Sequence, residues 1–401
     1  MYKSIEARKQ KWLRFLGNTG EDVSGVGSGG IGGSSGGNNG SGDGDGGMGV
    51  NGRGGSGIVG GGAGGGGAGV IYFVETDRGA SNSASRPLPR PELIEKRIAW
   101  AYEEYVMRLE QSEWLADDRI PHLSPYTGTE IFAEAFGCKV HYPDNDMPFA
   151  LPKFDSVAGV AALKTPEVHA TPLSNLFEIA RRLRQKTGRD ALLQLPDIQS
   201  PLDIAALILN KEAFYTAMIE EPEAIHEMVE MTKLLLTNFL DEWFSEFGHS
   251  YIAHYPSYYM EGGVTLSEDE VGAFSPAMFD KFVLGTLNDL SKKYGGIGIH
   301  CCADSEHQWD NFLKVKNLKL LNLCNSKSGF INRSLNYIGA AAAQWPIDGS
   351  PASAEHPRWL AECPSNARIV LTYKASDRRS AEETVKRAEE ICQKRTALLL
   401  K

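Results

Sequence analysis

The chain has 401 residues, a net charge of −10 and 44 glycines, 28 of them between Gly17 and Gly69. An acidic chain argues against nucleic acid as the principal partner. No apolar run reaches the roughly 18 residues that a membrane-spanning helix needs, and six cysteines in so long a chain do not form a disulfide framework, which favours a reducing compartment.

In chain order, residues 1–16 form a basic segment without the apolar stretch of a secretory signal. The expected location is cytoplasmic, with a basic organelle-targeting segment as the alternative. Residues 17–69 are too poor in apolar side chains to offset their chain entropy and read as a disordered insertion. They have no proline and no Gly-X-Y period, which excludes collagen. No strand precedes their GxG matches, so these are not a dinucleotide fingerprint. The apolar runs Trp12–Leu16 and Val70–Val74 flank the insertion and read as two pieces of one N-terminal subdomain. Residues 70–401 then form a single domain.

Pro91 opens a helix through about Trp114, with Ile94, Ile98, Tyr102, Tyr105 and Leu109 on one face. Strand-like runs follow at Ile120–Leu123, Cys138–His141, Leu192–Leu195, Tyr251–His254, Ile297–His300 and Leu318–Leu321, with a weak one at Ala340–Trp345 and a last one at Ile369–Leu371. Helices alternate with them. Ser200 and Pro201 give an N-cap and a first helical residue. Pro222 opens an amphipathic helix that Gly248 stops. Ser267 with Glu270, and Ser380 with Glu383, have the spacing of capping boxes. Some eight strands alternating with helices indicate an α/β (β/α)8 TIM barrel with an N-terminal extension. A doubly wound open sheet is the runner-up, but no glycine-rich phosphate turn follows any strand.

In a barrel, chemistry gathers at the carboxyl ends of the strands. Side chains alternate faces along a strand, so Gly298, His300 and Cys302 share one face and Ile297, Ile299 and Cys301 the other. A His-x-Cys pair places an imidazole beside a thiol, as a zinc site needs, with His307 or Glu306 as the candidate third ligand. Hydrogen-bonded, metal-free polar residues at a strand end are the alternative. Asp197 and Gln199 follow the Leu192–Leu195 run and are candidates to orient a substrate. His254, Tyr258 and Tyr259 form a candidate amphipathic wall. Asp269 either faces the pocket or belongs to the Ser267 cap.

An ordered set of segments resembles the uroporphyrinogen decarboxylase superfamily. These are Glu134-Ala-Phe-Gly-Cys-Lys-Val140, Ser200-Pro-Leu-Asp-Ile-Ala-Ala206, the Pro222 helix, Gly263-Val-Thr-Leu-Ser-Glu-Asp269, Ser275-Pro-Ala-Met-Phe279 and His300-Cys-Cys302. The resemblance runs from about Pro91 to the C-terminus and implies a TIM barrel. In the decarboxylase branch it implies cofactor-free loss of carboxyls from a porphyrinogen, with Asp197 or Asp269 stabilising the protonated pyrrole. That branch's Arg-Gln-Ala-Gly-Arg-Tyr segment is missing here. Its aspartate position falls on Gly128, its tyrosine near Leu207 and its late Gly-His-Gly near Tyr373-Lys374. Arg119 is the candidate replacement for a carboxylate anchor. In the methyltransferase branch the resemblance implies zinc on His300, Cys302 and a later cysteine, with a corrinoid protein as methyl partner. The later cysteine would fall around Thr372–Lys374 and is missing. Cys363 precedes that strand and Cys324 sits on another.

The leading expectation is an enzyme that uses His300, Cys302 and His307 to bind zinc and activate a thiol for one-carbon transfer, with Asp197, His254, Asp269, Gln199, Tyr258, Tyr259 and Arg119 around a small-molecule substrate. The alternatives are porphyrinogen decarboxylation and a non-catalytic binding barrel.

Overall fold

The computed structural model describes residues 3–17, 69–76, 86–254, 257–324, 330–338, 343–344, 364 and 367–399. The expected disorder of the glycine-rich segment lies outside the described residues apart from its two ends, and so does Cys363.

Those two ends belong to one body. Helix α1 (Ile5–Phe15) is capped by Ser4, whose Oγ accepts from the Ala7 amide at 3.2 Å. It buries Arg8, Trp12 and Phe15, and Trp12 packs against Phe73 of strand β1 (Val70–Thr76) with ring centroids 5.9 Å apart. Below them, the Asp118 and Asp117 carboxylates each accept a β1 amide at 3.0 Å, from Tyr72 and Val74 respectively. Lys3 and Lys11 of the N-terminal segment pair with Asp118, while Arg8 reaches Asp117 and the carbonyls of Ser112, Leu115 and Arg119. The basic segment is thus a charged strap on a buried aspartate pair.

After a short 3-10 turn at Pro91 comes α2 (Ile94–Trp114), then β2 (His122–Leu123), α3 (Ile131–Ala135) and the antiparallel pair β3 (Lys139–His141) and β4 (Phe149–Leu151). The strand expected at Cys138–His141 is therefore a hairpin arm outside the parallel sheet. Helix α4 (Ser174–Thr187) leads to β5 (Leu192–Leu193), and α5 (Pro201–Ile208), α6 (Lys211–Glu220) and α7 (Pro222–Phe247) follow. Ser200 caps α5 as expected, its Oγ accepting from the Asp203 amide. Helix α7 buries Ile225, Met228, Val229, Leu235, Leu236, Phe239, Leu240, Trp243 and Phe247 and ends at Gly248, whose φ of 88° suits glycine.

The second half contains β6 (Ser250–Ile252) and β7 (Tyr259–Glu261), which pair antiparallel, then β8 (Val264–Ser267), α8 (Pro276–Phe282), α9 (Leu284–Tyr294), β9 (Ile297–Cys301) and α10 (Trp309–Phe312). It ends with β10 (Leu318–Leu323), α11 (Phe330–Ile338), β11 (Ala343–Gln344), β12 (Arg368–Ala375) and α12 (Arg378–Leu399). Two expected capping boxes do not form. Ser267 lies inside β8, and α12 is capped by Asp377, which accepts from the Ser380 amide at 2.8 Å.

Six strands form one parallel sheet in the order β1-β12-β11-β10-β9-β8. Gly298 is needed in it: a Cβ there would lie 2.6 Å from Leu320 Cγ and 2.9 Å from Thr265 Cγ2. The parallel pair β2-β5 continues to β6 through a bridge between Gln194 and Ile252, and Gln199 bridges Ser267 at the end of β8. The fold is mixed α/β with parallel strands and intervening helices, as expected, but among the described residues the strands do not close into a barrel. The seam at β1 has a physical cause. Amides that a neighbouring strand would use are taken by the Asp117 and Asp118 side chains, and a single backbone bond, Asp118 N to Tyr72 O, crosses toward β2. No helix among the described residues is long and apolar enough to cross a membrane.

Candidate active site

The carboxyl ends of β8, β9 and β10 lie side by side and carry the chemistry. The ladder runs to their tips: Glu268 N donates to His300 O at 2.8 Å, and Cys324 N to Cys301 O at 2.9 Å. In this register His300 on β9 stands opposite Asn322 on β10. His300 Nδ1 is hydrogen-bonded to Asn322 Oδ1, and its Nε2 lies 2.9 Å from Cys302 Sγ. An amide oxygen only accepts, so Nδ1 carries the proton and Nε2 turns its lone pair toward the thiol.

Cys302 also meets Cys324. Its thiol has one proton and two acceptors, His300 Nε2 and the Cys324 sulfur. The hydrogen bond from Cys302 holds the Cys324 thiol down at about 6, and that bond together with burial pushes the Cys302 thiol well up. Both cysteines are free. The backbone here is pinned from β8, since Cys302 N donates to Asp269 Oδ1 at 2.6 Å. The Asp269 carboxyl is raised, chiefly by burial, with the Cys302 hydrogen bond opposing.

Across the mouth, Asp197 Oδ2 stands 3.5 Å from His254 Nε2, and Asp197 Oδ1 accepts from Ser267 Oγ at 3.4 Å. Burial pushes the His254 pKa down from its usual 6.5, which leaves the ring neutral at physiological pH. Asp197, Ile198, His254, Thr265, Leu266, Ser267 and His300 line a cleft of about 180 Å³. Behind it, Asp203 and Glu268 form a buried pair of carboxyls. Asp203 accepts from the Asp269 amide at 2.7 Å and the Glu270 amide at 3.1 Å, which fixes the turn that presents Asp269. Burial lifts Asp203 to about 7 and Glu268 well above the carboxylate range.

Of the residues singled out in the sequence, His300, Cys302, Asp269, Asp197 and His254 come together here. Gln199 borders the group through its bridge to Ser267, with Oε1 buried and without a partner. Four residues lie elsewhere. His307 uses Nε2 on the Phe274 carbonyl at 3.0 Å and does not join His300 and Cys302. Arg119 lies over the Phe73 ring and against Glu75 in the N-terminal strap. Tyr258 and Tyr259, at 0% and 1% exposure, are core side chains, Tyr258 packing on Trp12 and Tyr259 donating to Glu261. Their aromatic surface is used to bury α1, not to face a ligand.

Asn322 was missed, and Cys324 was set aside because it sits on another strand. The signal was present: Asn-x-Cys ends β10 as His-x-Cys ends β9, but only the strand register shows that the two pairs adjoin. The donors of His300, Cys302 and Cys324 are of the nitrogen and sulfur kind that zinc prefers. The Asn322 bond is the partner that a metal-ligating histidine uses to fix its tautomer. In kind, then, the residues fit the metal. Among the described residues no three His, Cys, Asp or Glu side chains are gathered as a metal-holding group.

Residues 126–323 match the family model described as Uroporphyrinogen decarboxylase (URO-D). No curated protein matches the chain. Among solved structures, a methyltransferase from Methanosarcina mazei superposes with a TM-score of 0.52 at 14% identity, covering 76% of this chain and 90% of that one. At that identity the likeness is one of fold.

Proposed function

From the match of residues 126–323 to the uroporphyrinogen decarboxylase family model, we propose that the chain is an enzyme that transfers a methyl group to a small thiol. The proposed metal is zinc, with His300, Cys302 and Cys324 as ligands, Cys324 standing where the sequence suggested His307. The observation that carries this reading is the register of β9 and β10, which sets His300 between Asn322 and Cys302 and brings Cys324 to the same sulfur. Bound there, zinc would act as a Lewis acid that lowers the pKa of a substrate thiol.

The other groups are this chain's own. Asp269 Oδ1 holds the Cys302 amide and keeps the turn in place. Neutral His254 accepts the substrate thiol proton, and Asp197 Oδ2, 3.5 Å from its Nε2, stabilises the imidazolium so formed. The thiol sulfur forms the new bond to the methyl carbon, and the donor leaves with the electron pair of the bond that breaks. The resemblance supplies the donor class, a methylated corrinoid protein.

The test is zinc content together with methylation of 2-mercaptoethanol, using methylcobalamin as donor. The reading expects about one zinc per chain, an S-methyl product, and loss of both in Cys302→Ser and Cys324→Ser. Metal-free protein with full activity would overturn the zinc. Carboxyl loss from uroporphyrinogen without thiol methylation would overturn the reaction.

A further inference from the structure

A second pocket, open to solvent, lies beside the cleft and is lined by Arg97 of α2 and Glu130 at the start of α3. Both are buried, at 7% and 3% exposure. Arg97 donates to the Tyr126 carbonyl at 2.7 Å and lies over the Tyr126 ring, yet among the described residues no carboxylate is within ion-pair distance of it, and its Nε has no hydrogen-bond partner. Glu130 Oε2 is likewise buried without a partner. Position 128 makes room for that carboxyl: a Cβ on Gly128 would lie 2.2 Å from Glu130 Oε2.

Arg97 and Glu130 thus face one cavity without an ion pair between them, and the half-buried Glu134 carboxyl adds a second acid to its wall. Leaving a charge buried and unpaired is costly, and a ligand with complementary charges removes that cost on binding. A lone cation would leave Arg97 unpaired and a lone anion would meet the two carboxyls, so a molecule carrying both signs suits the site. The walls of Ile94, Leu173 and Leu176 add an apolar surface. We propose that this cavity binds a small zwitterion of the α-amino-acid class with an aliphatic side chain, its carboxylate on Arg97 and its ammonium on Glu130. Burial lifts the Glu130 carboxyl to about 7, and an ammonium beside it would bring it back down. The cavity adjoins the cleft through Thr127, which lines it and accepts the Asp197 amide at 3.2 Å. The proposal does not depend on the methyl-transfer reading.

Calorimetric titration of the full chain with L-leucine and L-methionine tests it, with 4-methylvalerate (carboxylate alone) and isoamylamine (ammonium alone) as controls. The expected result is binding of an amino acid with Kd below about 1 mM, and of each control at least about tenfold more weakly, because each leaves one buried charge unpaired. Arg97→Gln and Glu130→Gln should each weaken amino-acid binding at least about tenfold. No heat with either amino acid, equal affinity for 4-methylvalerate, or full affinity in Glu130→Gln would overturn the proposal. Should a variant not fold, the control ligands on the unaltered chain decide by themselves.

Discussion

Asn322 on β10 is the register partner of His300 on β9, and its side-chain oxygen accepts the proton of His300 Nδ1. One amide therefore sets both the orientation of the imidazole and which of its nitrogens faces Cys302. Asn322→Leu should leave the fold intact and lower zinc affinity by about 10–100-fold, the usual effect of losing such a partner. Competition with a chromophoric chelator measures it, and unchanged affinity would show that the tautomer is fixed some other way.

In the metal-free protein Cys324 should be the more nucleophilic of the two sulfurs, because the Cys302 hydrogen bond lowers its pKa to about 6. Deprotonation activates it, so the rate of its alkylation by iodoacetamide should rise with pH through about 6 and then level off. In Cys302→Ala that midpoint should move up toward the free-thiol value of about 8.5. Mass spectrometry of the labelled peptides after chelation reads both; a midpoint unmoved by the substitution would contradict the assignment.

The Asp203–Glu268 pair predicts a pH-dependent stability. Both carboxyls are raised in the fold, Asp203 from 3.8 to about 7. Between those values the folded chain binds more protons than the unfolded one, so stability falls as pH rises through that window, and the still higher-lying Glu268 continues the fall above it. Glu268→Gln removes the neighbouring acid and should flatten the fall. Tm measured from pH 5 to 8 checks this, and an unchanged slope in the variant would assign the dependence to other groups.

The N-terminal strap should hold after the chain is cut. Limited proteolysis is expected to cleave within residues 17–69 and leave α1 attached, because Trp12 and Arg8 stay buried against β1 and the Asp117 turn. Arg8→Ala removes the donor to Asp117 and to three carbonyls and should cost about 3–5 kcal/mol in urea denaturation, as breaking a buried pair does. Release of residues 3–17 from the nicked, otherwise unaltered chain would refute the strap.

Patterns local to the chain were legible in the sequence. The buried stripe of α7, its stop at Gly248, the Ser200 cap and the runs that became β1, β2, β5, β6, β9, β10, β11 and β12 follow from periodicity and end signals. So does the pairing of His300 with Cys302 on one face. Strand β8 was not read as a strand, because its four residues are too few to show alternation and Ser267 with Glu270 mimics a cap. Tyr258, Tyr259 and Arg119 looked like site residues because aromatic and basic side chains near strand ends suit a ligand as well as a core. Only packing shows that α1 covers the two tyrosines and that Arg119 lies on Phe73 of β1.

The sequence by itself determined which residue types could do chemistry and where the chain would turn, since propensity, capping and alternation act over a few residues. The tertiary structure alone decided that Asn322 and Cys324 complete the His300–Cys302 pair, that His307 does not, and that Arg97 and Glu130 face one cavity. Those relations depend on strand register and on the approach of elements distant in the chain. A one-residue slip between β9 and β10 would put Asn322 and Cys324 on the opposite face from His300.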